Sequence, residues 1–117
     1  MLGCYRGDRI RAIAPVAPGG NATTLPLASG ACTGEVGIWE GLGTADADHE
    51  QGATLVRDYY RTANGCAATR TATTPAGCER YDGCRAAVPA VWCTYPGGHA
   101  WPAIGAAAVW SFFSSFK

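Results

Sequence analysis

The chain has 117 residues, of which nine are Lys or Arg and nine are Asp or Glu, so its formal net charge is zero and only 15% of it is charged. That balance excludes the basic face needed for a nucleic-acid or anionic-lipid partner. The length suits one small domain, and six cysteines point to an oxidising compartment, because cytosolic chains rarely carry that density without metal or redox chemistry. No apolar run approaches the roughly 20 residues of a membrane span, so no membrane partner is expected. The opening Met1-Leu2-Gly3-Cys4-Tyr5-Arg6 lacks the charged-then-apolar order of a secretion leader, although the composition is that of a secreted protein. The expectation is a chain that lacks an N-terminal part.

Met1 to Arg6 reads as the tail of a helix, with Gly7-Asp8 as the turn after it. Ile10 to Val16 reads as a buried strand with Pro15 near its exit. Residues 17–34, rich in Gly, Pro, Ser, Thr and Ala, form a long loop of the kind that is functional or covalently pinned. Val36 to Glu40 is a second short strand, left by the loop Gly41 to Asp48. From Gly52 to Asn64, Leu55, Val56, Tyr59, Tyr60 and Ala63 recur at helical spacing, and Asn64-Gly65 stops the helix. Residues 67–77 read as a Thr/Ala/Pro loop, and Val88 to Tyr95 as a third strand. In the last helix Val109, Phe112, Phe113 and Phe116 share one face. This alternation predicts a single α/β domain with a parallel sheet.

Ligand sites in such sheets lie beyond the carboxyl ends of the strands. Asp46 follows the strand ending at Glu40, and His99 follows the strand ending at Tyr95, so both belong at that edge. Gly97 and Gly98 give the turn before His99 the backbone freedom to aim an imidazole inward. Acid before histidine is the chain order of an α/β-hydrolase triad, in which the imidazole takes a serine proton and the carboxylate holds the imidazole's tautomer. None of Ser29, Ser111, Ser114 and Ser115 lies in Gly-x-Ser-x-Gly, so no nucleophile elbow accompanies the pair.

The run Leu2-Gly3-Cys4, the strand Arg11 to Ala17, the loop Gly43-Thr44-Ala45-Asp46 and the segment Arg57-Asp58-Tyr59-Tyr60 to Asn64-Gly65-Cys66 occur in order with Tyr81-Asp82-Gly83-Cys84, Gly97-Gly98-His99-Ala100-Trp101-Pro102 and Trp110-Ser111-Phe112-Phe113. Together they resemble the C-terminal half of secreted feruloyl esterases and the related polyhydroxybutyrate depolymerases. The resemblance implies a partial α/β-hydrolase sheet over residues 1–117, made of its C-terminal strands and helices and stapled by disulfides. It implies Asp46 as acid and His99 as base, with the serine elbow and oxyanion donors in the absent N-terminal half. The implied substrate is a hydroxycinnamoyl ester of plant cell-wall polysaccharide, with a polyhydroxyalkanoate as the alternative. The chain departs from the family pattern at Asp48-His49-Glu50, where relatives often carry Val-Pro or Leu-Pro, which keeps Asp48 as a second choice of acid. It also has Leu42 where many relatives have histidine.

Trp101 reads as a wall of the acyl pocket or as plain packing. His49 reads as solvated, and Asp58 and Asp82 as helix-face and turn residues. The cysteine spacings contain no C-x-x-C, so zinc and thioredoxin-like chemistry are poorly supported and no metal or organic cofactor is expected. Six cysteines allow fifteen pairings. Relatives that retain the equivalents of Cys66 and Cys84 imply that pair, then Cys78 with Cys93 and Cys4 with Cys32; Cys66 with Cys93 and Cys78 with Cys84 is the nested alternative. Asn21-Ala22-Thr23 is a formal glycosylation acceptor. The expected activity is that of an ester hydrolase whose isolated C-terminal piece is inactive; the reading from another class is a non-catalytic, disulfide-rich secreted module.

Overall fold

A computed structural model describes residues 2–20 and 35–116. The residues expected to form most of the long loop, together with Asn21, Ser29 and Cys32, lie outside the described residues, and with them the proposed Cys4–Cys32 pair.

Helix α1, Leu2–Tyr5, leads to the short strand β1, Ala12–Ile13. The expected strand over Ile10 to Val16 is thus reduced to a two-residue ladder, half-buried. Pro15 has no N–H to continue it, yet its carbonyl accepts from Gly41 N at 3.1 Å, and Ala17 N donates to Gly41 O at 2.8 Å. The chain therefore keeps following its neighbour beyond the regular pairing.

That neighbour is β2, Gly37–Gly43, seven residues buried throughout and parallel to β1. Gly41-Leu42-Gly43, expected in a loop, continues the strand. A strand covered on both faces and paired on both edges gains more from burial than glycine loses in conformational freedom. At Gly41 the absent Cβ also makes room for the Trp39 indole, which would lie 2.9 Å from it.

Helix α2, Ala47–Ala63, begins five residues ahead of the expected Gly52 and carries Asp48 and Glu50 in its first turn, where acids complement the helix dipole. It buries Gly52, Ala53, Val56 and Tyr60 against Ile38, Leu42 and Trp92. Gly52 is required by a close approach, since a Cβ there would lie 2.6 Å from Gly20 N. Asn64 ends the helix and donates from Nδ2 to Val36 O at 3.0 Å, tying it to the entry of β2.

Residues 67–77 do not form a plain loop. They contain β3, Arg70–Thr73, paired antiparallel with β4, Cys78–Tyr81. The exposed β3 has no apolar alternation to betray it; it is held by backbone pairing and by Arg70–Glu79 at 2.8 Å. Strand β4 then runs antiparallel to β5, Ala90–Tyr95, which lies parallel to β2. The five-stranded sheet has the order β1-β2-β5-β4-β3 and is mixed rather than parallel.

Helix α3, Gly105–Ser114, covers the other face, with Ala108 and Phe112 against Trp39, Cys78 and Cys93. Its buried positions are Gly105, Ala108 and Phe112, while Phe113, expected on the apolar face, is turned outward. A helix on each face of the sheet makes this an α/β domain.

Two disulfides staple it, Cys66–Cys84 and Cys78–Cys93. The nested alternative is thereby excluded. Cys78 and Cys93 face each other directly across the β4–β5 ladder. Replacing both by alanine is expected to cost about 3 kcal/mol in urea unfolding, because the bond closes a loop of about 15 residues in the unfolded chain. An unchanged midpoint would show that this closure contributes nothing to stability.

Candidate active site

The carboxyl ends of β2 and β5 are adjacent, and their exit loops are bonded to each other. Thr44 N donates to Tyr95 O at 2.9 Å and Ala45 N donates to Gly97 O at 2.8 Å. Gly97 has φ +129°, a backbone conformation that side chains rarely tolerate. Across from it, a Cβ on Gly43 would run into the carbonyl oxygens of Gly97 and Gly98. On the far side of the turn, the Tyr95 hydroxyl donates to Ala100 O at 2.9 Å. The loop of Asp46 and the turn of His99 are therefore locked as one unit.

Within it His99 Nδ1 lies 2.9 Å from Asp46 Oδ2, across 53 positions of sequence. Asp46 occupies the N-cap of α2 but makes no side-chain capping bond. Its carboxylate is instead shared by two imidazoles, for His49 Nδ1 lies 2.7 Å from Oδ1. The two rings stack with centroids 3.9 Å apart and planes inclined by 23°. His49 is thus part of the site and not the solvated residue expected. The signal available in sequence was Asp46-x-x-His49, a three-residue spacing that acts only if the helix starts at Ala47, earlier than the apolar pattern indicates. Asp48, the alternative acid, is exposed.

Asp46 is buried, with 5% of its surface exposed. Burial pushes its pKa up, but the hydrogen bonds from His49 and His99 and their charge more than offset this and hold it below the ordinary value. An ionised carboxylate only accepts hydrogen bonds, so both Nδ1 atoms carry the hydrogen, and Nε2 holds the lone pair when the ring is neutral. His99, with 58% of its side chain exposed, can accept a proton from solvent or from a bound group. Among the described residues, Asp46, His49 and His99 also bring donor atoms within 4.8 Å of one another, a spacing that could hold a metal ion.

Behind Asp46 is a cavity of about 410 Å³ lined by Glu50, Arg57, Arg70 and Trp92 among others. A larger one, about 560 Å³, is bordered by Arg11, Glu35 and Pro89. It lies at the amino ends of the strands, away from the histidines. Trp101 is exposed, its indole packed over Gly105. Asp58 pairs with Arg57 at 3.0 Å and Asp82 accepts from Thr71 Oγ1 at 2.8 Å, so both have structural roles. The described serines, Ser111, Ser114 and Ser115, lie on α3 or directly after it. No helix among the described residues is long and apolar enough to cross a membrane. No protein-family model and no curated protein matches the chain.

Proposed function

We propose that Asp46 and His99 are the acid and base of a serine carboxylic-ester hydrolase of the α/β-hydrolase type, with the nucleophile supplied by a segment outside these 117 residues. The observation that carries the reading is the Asp46 Oδ2 to His99 Nδ1 bond of 2.9 Å at the carboxyl ends of two adjacent parallel strands. In the assembled enzyme a serine hydroxyl attacks the ester carbonyl, His99 Nε2 takes its proton and returns it to the leaving alcohol, and Asp46 stabilises the imidazolium between. The motif resemblance makes a feruloyl ester of cell-wall polysaccharide the first substrate and a polyhydroxyalkanoate the second, with Trp101 as a candidate wall for the acyl group. The two disulfides support an extracellular setting. The position of the described serines on α3 favours the second reading, a disulfide-stapled module without catalysis.

The test is esterase activity on methyl ferulate and p-nitrophenyl acetate. The 117-residue chain is expected to show none. The chain joined to its in-frame upstream segment is expected to carry a Gly-x-Ser-x-Gly elbow and to turn over, with activity abolished by His99→Ala. Activity indifferent to His99→Ala would overturn the role of the base, and a stop codon directly upstream with a functional ribosome site would support the non-catalytic module.

A further inference from the structure

We propose that Asp46, His49 and His99 form a binding site for a borderline-soft divalent cation, with zinc the best fit. Two imidazole nitrogens and one carboxylate are a zinc donor set that leaves one position open. The carboxylate is fixed in a buried position, and the two Nδ1 atoms already converge on it at 2.7 and 2.9 Å. Neighbouring ligands on a tetrahedral zinc with bonds of about 2.0–2.1 Å stand about 3.3 Å apart, so each nitrogen opens from its carboxylate oxygen by a few tenths of an ångström while the donor set, already within 4.8 Å, gathers around the ion. The rings, stacked at 3.9 Å, must also rotate apart, which their side-chain exposures of 33% and 58% permit.

The proton balance is simple. Each neutral imidazole carries one hydrogen, now on Nδ1 and directed at Asp46. On coordination of a neutral ring through Nδ1, that hydrogen moves to Nε2 through solvent. The same shift turns His99 Nε2 from an acceptor into a donor. On the esterase reading, therefore, zinc and general-base catalysis exclude each other, and His49 is what converts a catalytic pair into a cation site. The cation binding itself stands on the geometry alone.

The experiment is calorimetric titration of the untagged 117-residue chain with zinc chloride, and with magnesium and calcium chloride for comparison. One zinc per chain is expected, with no binding of the two hard cations. His49→Gln and His99→Gln should each weaken zinc binding at least tenfold, and the exposed-acid variants Asp48→Asn and Glu50→Gln should leave it within twofold. Far-ultraviolet circular dichroism checks that each variant is folded. Failure of zinc to bind, or binding unchanged in folded His49→Gln, would overturn the proposal. Because no turnover is measured, that failure is distinct from failure of the esterase reading.

Discussion

On the proposed esterase reading, replacing Asp46 by asparagine is expected to lower kcat about 10⁴-fold while the fold persists. The carboxylate accepts Nδ1–H from His49 at one oxygen and from His99 at the other. An amide keeps one oxygen and presents an N–H₂ group in place of the second, so it can accept from only one of the rings. If the amide nitrogen faces His99, the ring must adopt the Nε2–H tautomer to accept from it and can no longer take a serine proton. If it faces His49, His99 retains its tautomer but loses the negative charge that stabilises its imidazolium. Asparagine matches aspartate in size, and Asp46 makes no capping bond that the change would remove, so the fold should persist with the loss of the stability that the ionised carboxylate draws from the two imidazoles. Turnover of methyl ferulate by the assembled protein, with thermal unfolding in parallel, is the measurement. A loss smaller than tenfold would remove Asp46 from the catalytic role, and Asp48→Asn, at an exposed position, should behave as the parent.

Replacing Glu40 by glutamine is expected to stabilise the protein by about 3 kcal/mol at pH 7 and by less than about 1 kcal/mol at pH 5. Glu40 sits in the central strand β2 with 1% of its surface exposed, and neither carboxyl oxygen has a hydrogen-bond partner among the described residues. Burial raises its pKa from an ordinary 4.5 to about 9; nearby Arg57 opposes this and Asp58 adds to it. Between those two values the unfolded chain has released the proton and the native chain still holds it. The native state then binds more protons, so stability falls as pH rises through the window, by about 1.4 kcal/mol per pH unit. Glutamine cannot ionise and abolishes that slope. Asp46 works in the other sense and elsewhere on the scale. Its lowered pKa supplies stability that is present above the ordinary carboxylate value and lost as pH falls through the folded one. Urea unfolding of the parent and Glu40→Gln at pH 5, 7 and 8 separates the two effects, and parallel pH dependences for the two proteins would refute the buried-acid account.

Periodicity located α2, because Leu55, Val56, Tyr59 and Tyr60 mark one helical stripe, but it placed the start at Gly52, where apolar residues begin, rather than at Ala47, where the backbone turns. That misplacement concealed His49. Strand β3 was illegible because Arg70-Thr71-Ala72-Thr73 buries almost nothing; an edge strand held by its ladder and an ion pair leaves no hydrophobic trace. The parallel sheet expected from alternating elements failed at that hairpin, which adds two antiparallel strands beyond β5. Gly41 and Gly43 carry the local signature of a loop, and burial between β1 and β5 overrides it.

Legible in the sequence are the residue types and their order: an acid after one strand, a histidine on a glycine turn after the next, and cysteines whose two described bonds match the pairing implied by the resemblance. These are short-range patterns, carried by turn chemistry and motif spacing. It is the packing of the sheet that brings Asp46 rather than Asp48 to His99, fixes the helix start that turns His49 to the same carboxylate, and seals Glu40 without a hydrogen-bond partner among the described residues. The Asp46–His99 pairing across 53 residues and the burial of Glu40 are properties of the packed sheet that no local pattern encodes, whereas the His49 contact is local and was hidden only by the helix start.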